Sequence, residues 1–218
     1  MRRRPGPGAS GFVRVMKYPV MWLTRAFLDG EISGRRHLPA HGPYIVTGNH
    51  LSLADPVFVT LAVGRQMRYL ALDELFGRSK VLDELMYYFG SIPISRERPP
   101  LGAVRKALEV LEAGEILGVF PEGGRALHWG ERSIKKGAAW LSLATGAPII
   151  PCAVTGTEAT LSLASPGVSI PSVRVSLHPP LDPVSYIGRV DPIGAMMDDW
   201  QSVLDHQLQH WQPKNGPS

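Results

Sequence analysis

At residues 44–56 the chain reads YIVTGNHLSLADP, an apolar run followed by a short loop and a proline. The apolar run, residues 44–47, predicts a buried strand. Residues 56–63 predict a helix, because Asp followed by Pro is a common helix start, with Asp55 as the N-cap. Residues 50–54 then form a tight strand-to-helix loop, and this unit is typical of an α/β fold.

The loop places an imidazole, His50, five residues before a carboxylate, Asp55. On a continuous helix the two side chains would point about 140° apart. Because the residue before a proline avoids the helical conformation, the loop can fold the carboxylate back onto the ring. A neutral imidazole can take a proton from a hydroxyl while a carboxylate fixes its tautomer. The alternative is that Asp55 only caps the helix and His50 is an ordinary loop residue.

Short apolar runs alternate with helical patterns along the rest of the 218 residues. This alternation predicts an α/β fold, a single domain with a largely parallel mixed sheet flanked by helices. The further strands are predicted at residues 67–72, 91–95, 116–120, 148–154 and 173–177. The further helices are predicted at residues 79–89, 101–113, 136–145 and 193–211.

The positive charge is concentrated at the N-terminus. Residues 1–36 hold eight basic and two acidic side chains, and the whole chain has a net charge of +4. Residues 37–218 therefore carry a net charge of −2. A nucleic-acid-binding protein needs basic residues spread over a binding face, whereas a local cluster suffices for an anionic membrane surface. We expect a membrane surface as a partner, and no nucleic acid.

Residues 11–29 are predicted to be an amphipathic membrane-interface segment. Arg14, Lys17 and Arg25 fall near one side of a helical wheel, and the remainder is largely apolar with Trp22 among it. This pattern is typical of a helix lying at the lipid surface. The alternative is a helix that packs its apolar side on the rest of its own chain.

The sequence divides into four parts on these grounds. Residues 1–10 are predicted to be a disordered basic tail, residues 30–212 the folded domain, and residues 213–218 a flexible tail. No apolar stretch approaches the roughly 20 residues that a spanning helix needs. We therefore expect a peripheral protein at the cytoplasmic face of the cell membrane.

Cysteine and histidine residues give no sign of a metal or redox site. The single cysteine, Cys152, lies in an apolar run and is predicted to be a buried structural thiol. The histidines do not combine with carboxylates or cysteines in a metal-ligand pattern. We therefore predict neither a metal nor a cofactor.

Two more polar clusters follow predicted strands, where α/β proteins place their sites. Arg96 follows the strand at residues 91–95, and its guanidinium is suited to a phosphate. The alternative is a solvated surface loop. Glu122 and Arg125 follow the strand at residues 116–120. Glu122 could accept a hydrogen bond from a hydroxyl while Arg125 binds a phosphate, or the two could simply form an ion pair.

Four blocks in this order resemble the glycerolipid acyltransferase family typified by 1-acylglycerol-3-phosphate acyltransferase. His50 to Asp55 resembles its block Asn-His-x-Ser-x-x-Asp, and Ile92 to Arg96 resembles a block in which an apolar run ends in Arg. Phe120 to Arg125 resembles Phe-Pro-Glu-Gly-Thr-Arg, and Pro148 to Pro151 resembles the fourth block. The resemblance covers roughly residues 30–185 and implies a glycerol-3-phosphate acyltransferase-like fold.

The resemblance implies roles for the residues in these blocks. His50 would be the general base, and Asp55 would orient it. Substrate binding would fall to Arg96, Glu122, Gly123 and Arg125. The hydroxyl of a lysophosphatidic-acid-type acceptor would attack an acyl thioester on coenzyme A (acyl-CoA) or acyl carrier protein (acyl-ACP). The resemblance implies no covalent acyl-enzyme and no metal in this step of phospholipid synthesis.

Departures from the family pattern leave the acceptor open. Gly124 stands where the family usually has Thr, Ala126 where Ser is common, and Asp73 near a position that is often Lys. The same chemistry could act on a lysophospholipid, glycerol 3-phosphate or a glycolipid. A non-catalytic lipid-binding protein with a degenerate site is the alternative from another class.

Overall fold

The structure is a computed structural model that describes residues 31–72, 90–94, 101–159 and 172–209, with residues 77, 83, 86, 162, 163 and 167. Several predictions concern residues outside this set. They are the N-terminal tail and amphipathic segment, the C-terminal tail, the helix at residues 79–89 apart from residues 83 and 86, Asp73 and Arg96.

The described residues form a seven-stranded sheet. The strands are β1 (Ile32–Ser33), β2 (Tyr44–Gly48), β3 (Met67–Leu72), β4 (Ser91–Ile94), β5 (Ile116–Val119), β6 (Ile149–Thr155) and β7 (Arg174–Leu177). Their order across the sheet is β1-β7-β6-β2-β5-β3-β4. Every neighbouring pair is parallel except β6 and β7. The predicted α/β fold with a largely parallel mixed sheet is confirmed.

Helices cover both faces of this sheet. They are α1 (Asp55–Val63), α2 (Leu101–Glu112), α3 (Gly137–Thr145) and α4 (Pro192–Gln209). One core cluster packs α1 on β2, β3, β6 and β7, and the other packs α2, α3 and α4 on the opposite face. Successive residues of β2 point to opposite faces, so Tyr44 and Val46 join the first cluster and Ile45 joins the second.

Helix α1 starts one residue earlier than predicted. Ala54 is its N-cap, no side chain among the described residues caps it, and Asp55 is its first residue. The prediction that Asp55 caps the helix is therefore wrong. Its carboxylate turns back to the preceding loop, where it accepts hydrogen bonds from the backbone N–H groups of Leu51 and Ser52. The helix ends at Gly64, whose φ of 72° is a common C-terminal conformation for glycine.

Asn49 fixes the end of β2 against β6. It is fully buried, its Nδ2 donates to the Val154 carbonyl, and its Oδ1 accepts from the Val154 N–H, both at 2.8 Å. A side-chain amide can satisfy both backbone groups of one residue in this way. The loop that starts at His50 therefore leaves the sheet from a rigid point.

Candidate active site

Two neighbouring parallel strands bring the predicted site residues together. His50 lies two residues beyond the end of β2, and Glu122 lies three residues beyond the end of β5. Because β2 and β5 are paired in parallel, their carboxyl ends meet at the same edge of the sheet. The first and third sequence blocks therefore lie at the same edge of the sheet.

His50 and Asp55 form a hydrogen-bonded pair. His50 Nδ1 lies 2.9 Å from Asp55 Oδ2, and the two side chains are 15% and 0% exposed. A carboxylate partner on Nδ1 holds the hydrogen on that nitrogen, so Nε2 keeps its lone pair. The Nδ1 side of the ring thus faces the buried carboxylate, and Nε2 is the nitrogen that can accept a proton from a bound hydroxyl.

The Asp55 carboxylate also shapes the loop. Besides His50, its Oδ2 accepts the backbone N–H groups of Leu51 at 2.8 Å and Ser52 at 2.7 Å. Charge-assisted hydrogen bonds of this kind are stronger than neutral ones. One oxygen therefore holds both the imidazole and the backbone that carries it. The loop thus folds the carboxylate back onto the imidazole, as the sequence argument predicts.

The imidazole is held from its face by Phe120. The two rings are stacked, with centroids 4.2 Å apart and planes 18° from parallel. Tyr69 stacks behind Phe120 at a centroid distance of 6.0 Å. Offset stacking contributes beyond simple burial, and here it fixes the plane in which the His50 nitrogens lie.

Both backbone groups of His50 are tied to the loop after β5. Its N–H donates to Glu122 Oε2 at 2.6 Å, and its carbonyl accepts from the Ala126 N–H at 2.9 Å. Glu122 is only 2% exposed, and in the part of the chain that the structure describes its Oε1 has no hydrogen-bond partner. The predicted alternative of a Glu122–Arg125 ion pair is therefore not realised at this carboxyl.

Burial dominates the ionisation of Glu122. Removal from water raises the pKa of this carboxyl to about 8, although the His50 N–H and the positive charge of Arg132 act in the opposite direction. Asp55 adds to the rise through its negative charge. Glu122 is thus largely protonated at neutral pH, and its free Oε1 can take part in a hydrogen bond with a bound group.

Replacing Glu122 with glutamine is expected to remove a pH dependence of the free energy of unfolding between about pH 4.5 and 8. The folded carboxyl keeps its proton up to about pH 8, whereas in the unfolded chain it ionises near 4.5, the ordinary pKa of a glutamate side chain. The folded state binds the extra proton, so the wild type loses up to about 1.4 kcal/mol per pH unit as the pH rises. Urea unfolding of both proteins across this range measures the difference, and parallel curves would contradict it.

Gly123, Gly124 and Arg125 continue the same loop. Gly123 has a φ of 66°, a conformation that favours glycine. The Arg125 side chain is partly exposed, and its carbonyl accepts a hydrogen bond from Arg132 Nε at 2.9 Å. The predicted residues His50, Asp55, Glu122, Gly123 and Arg125 are thus grouped on two adjacent loops. Arg96 lies outside the described residues.

Sequence reasoning missed several residues of the site. Asn49 and Phe120 stand inside the quoted blocks, but their clamp and their stacking join residues far apart in sequence. Lys135 and Arg132 lie beside the loop after β5 and belong to none of the four blocks. The three basic residues among 132–136, Arg132, Lys135 and Lys136, are the signal in the sequence that could have indicated them.

Cys152 is buried, as predicted. Burial raises the pKa of its thiol, and the negative charge of Asp55 raises it further. A thiol must be ionised to act as a nucleophile, so this side chain is not suited to accept an acyl group. In the described part of the chain, no group of three or more His, Cys, Asp or Glu side chains could hold a metal ion.

Comparison with known proteins adds a family and a fold. A family model described as Acyltransferase matches residues 30–155. The 1-acyl-sn-glycerol-3-phosphate acyltransferase of Bacillus subtilis is 28% identical over 140 residues, which cover 63% of this chain and 68% of that protein. The chloroplastic BAT2 enzyme of the same name from Brassica napus is 27% identical over 159 residues, 71% of this chain. The match covers 46% of BAT2, so the chain spans less than half of that relative.

A solved structure shares the architecture. The crystal structure of the 1-acyl-sn-glycerophosphate acyltransferase PlsC from Thermotoga maritima superposes with a TM-score of 0.67 at 25% sequence identity. The superposition covers 91% of this chain and 81% of that one. The sheet and helices described above are therefore shared over nearly the full length of this chain.

Proposed function

The chain belongs to the acyltransferase family, and from this premise we propose that it transfers a fatty acyl group to a lysophosphatidic-acid-type acceptor. The donor would be acyl-CoA or acyl-ACP, and the reaction would serve phospholipid synthesis. The His50–Asp55 pair is the observation that carries the proposal, because its 2.9 Å contact leaves Nε2 of a partly exposed imidazole able to accept a proton.

The pair supports a direct transfer. His50 Nε2 takes the proton of the acceptor hydroxyl as the oxygen attacks the thioester carbonyl, and Asp55 stabilises the imidazolium that forms. The tetrahedral intermediate collapses with cleavage of the carbon–sulfur bond. The departing thiolate takes the proton back from the imidazolium and leaves as a thiol. The products are a diacylated lipid and the free thiol carrier, and the base is restored.

The loop after β5 supports acceptor binding. We assign substrate contacts to Arg96, Glu122, Gly123 and Arg125. Glu122 stands next to the base through the His50 N–H, and its buried Oε1 has no hydrogen-bond partner among the described residues. A hydroxyl or phosphate oxygen of the acceptor is suited to fill that position. No cofactor is needed in this scheme.

We also propose that the protein works at the cytoplasmic face of an anionic membrane, through residues 11–29. The supporting observation is the excess of basic groups in residues 1–36. Among the described helices, none combines the length and the apolar character needed to cross a bilayer. Sedimentation with phosphatidylglycerol vesicles tests the idea, since a chain lacking residues 1–28 should bind more weakly. If the full chain and the chain lacking residues 1–28 bind the vesicles equally, the idea is refuted.

An acceptor panel tests the proposed activity. The purified protein is incubated with acyl-CoA and, in turn, lysophosphatidate, glycerol 3-phosphate, a lysophospholipid and a glycolipid, and thiol release and product mass are followed. We expect turnover with lysophosphatidate. Turnover with a different acceptor alone would keep the chemistry and overturn the substrate. Absence of turnover in folded protein, with acyl-CoA and with acyl-ACP, would overturn the activity.

A further inference from the structure

Two cationic side chains lie over the Gly123–Gly124 turn. A Cβ at Gly123 would overlap the end of the Lys135 side chain, 2.7 Å from Cε and 3.0 Å from Cδ. A Cβ at Gly124 would lie 3.2 Å from Arg132 Nη1 and 3.4 Å from Cζ. The ammonium of Lys135 and the guanidinium of Arg132 therefore occupy space that side chains at these two positions would fill.

Hydrogen bonds hold both residues against the turn. The Lys135 N–H donates to the Pro121 carbonyl at 2.8 Å, and Arg132 Nε donates to the Arg125 carbonyl at 2.9 Å. Gly124 matters here because a side chain in place of its hydrogen would press on the guanidinium. The segment 131–136 is thus folded back over the loop that carries Glu122.

The positive charges of these residues are not compensated within the described part of the chain. No carboxylate there pairs with Lys135 or Arg132, whereas the next lysine, Lys136, pairs with Asp191 at 3.3 Å. The charge of Arg132 lowers the pKa of Glu122, but burial raises it more and keeps this carboxyl largely protonated at neutral pH. The turn therefore carries a net positive charge, and it belongs to the loop whose residues Glu122 and Ala126 hydrogen-bond the backbone of His50.

A phosphate is the group that this charge suits. The guanidinium of Arg132 offers two Nη groups in a fork, and the ammonium of Lys135 adds a compact charge. In lysophosphatidate the carbon that bears the free hydroxyl is a neighbour of the carbon that bears the phosphate, or close to it. A hydroxyl at His50 therefore brings its phosphate near the turn. The phosphates of coenzyme A are separated from the thioester by the long pantetheine arm.

We propose that Lys135 and Arg132, over the Gly123–Gly124 turn, bind the phosphate of the acceptor and select for an anionic headgroup. The inference rests on the proposed acyl transfer and adds two residues outside the four sequence blocks. It also gives Gly124 a role, since this glycine leaves the space that the Arg132 guanidinium occupies.

Steady-state kinetics with lysophosphatidate tests the two residues. Lys135→Gln and Arg132→Gln should each raise the KM for lysophosphatidate about tenfold, with kcat changed by no more than about twofold, since each removes a charge-assisted contact to a non-reacting group. The KM for acyl-CoA should stay at its wild-type value. Lys136→Gln is the matched control, because Lys136 is paired with Asp191, and its KM should not change.

Calorimetric titration with glycerol 3-phosphate supplies a readout that does not depend on turnover. Wild type should bind it, and Lys135→Gln and Arg132→Gln should bind about tenfold more weakly. If the wild type binds glycerol 3-phosphate in this way but does not acylate lysophosphatidate, the phosphate site stands and the proposed activity fails. Unchanged KM and binding in both variants, a rise only in the KM for acyl-CoA, or no binding to wild type would overturn the site.

Discussion

Replacement of His50 with alanine is expected to lower the kcat for acyl transfer by about 10²–10⁴-fold. The imidazole is the group that removes the proton from the acceptor hydroxyl, and alanine cannot accept it. Water could replace it only as a weaker and unpositioned base. Initial rates of thiol release from acyl-CoA, with lysophosphatidate as the acceptor, give the ratio of the two enzymes.

Folding must be shown to be intact in this variant. The His50 side chain stacks on Phe120, whereas its backbone contacts with Glu122 and Ala126 do not depend on the ring. We therefore expect a cooperative unfolding transition to persist. Circular dichroism and urea unfolding check this. A folded His50→Ala enzyme with a wild-type rate would show that the proton is taken by another group.

Replacement of Asp55 with asparagine is expected to cause a loss of kcat in the same range, about 10²–10⁴-fold. An amide carries no charge to stabilise the imidazolium, and its NH₂ group can favour the tautomer that blocks Nε2. The variant should also unfold more easily, by roughly 1–3 kcal/mol. The Asp55 oxygen accepts three hydrogen bonds at a fully buried position, and asparagine weakens all of them.

Asp182→Asn is a suitable control for this exchange. Its carboxylate also accepts a backbone N–H, from Val184 at 3.0 Å, but at an exposed position outside the site. Both its kcat and its free energy of unfolding should stay close to the wild-type values. The two variants are compared by initial rates and by urea unfolding. An Asp55→Asn enzyme that is destabilised but keeps its kcat would reduce Asp55 to a structural role.

Most of the secondary structure could be predicted from the sequence, because short apolar runs are typical of buried strands. The predicted strands at residues 67–72 and 116–120 match β3 and β5 within one residue. The strand β1 was not predicted, because its two residues, Ile32 and Ser33, are too few to form an apolar run. It exists by pairing with β7, more than 140 residues away.

The sequence blocks predicted which residues group at the site, but most of the contacts that hold these residues could not be predicted. His50 and Asp55 are five residues apart, so a loop argument could bring them together. Asp55 also accepts the N–H groups of Leu51 and Ser52 and does not cap α1. These contacts depend on the path of the loop in space. The position of Lys135 over Gly123 depends on a segment twelve residues downstream folding back, which no local pattern encodes.

Acceptor dependence of thiol release is the most direct test of the proposed transfer. The wild-type protein is incubated with acyl-CoA, with and without lysophosphatidate, and free thiol, phosphatidate and the intact mass of the protein are measured together. Direct attack by the acceptor predicts one thiol for each phosphatidate, thiol release only when lysophosphatidate is present, and no acylated protein. Thiol release without acceptor together with an acyl group on the protein, or no phosphatidate from folded protein, would contradict it.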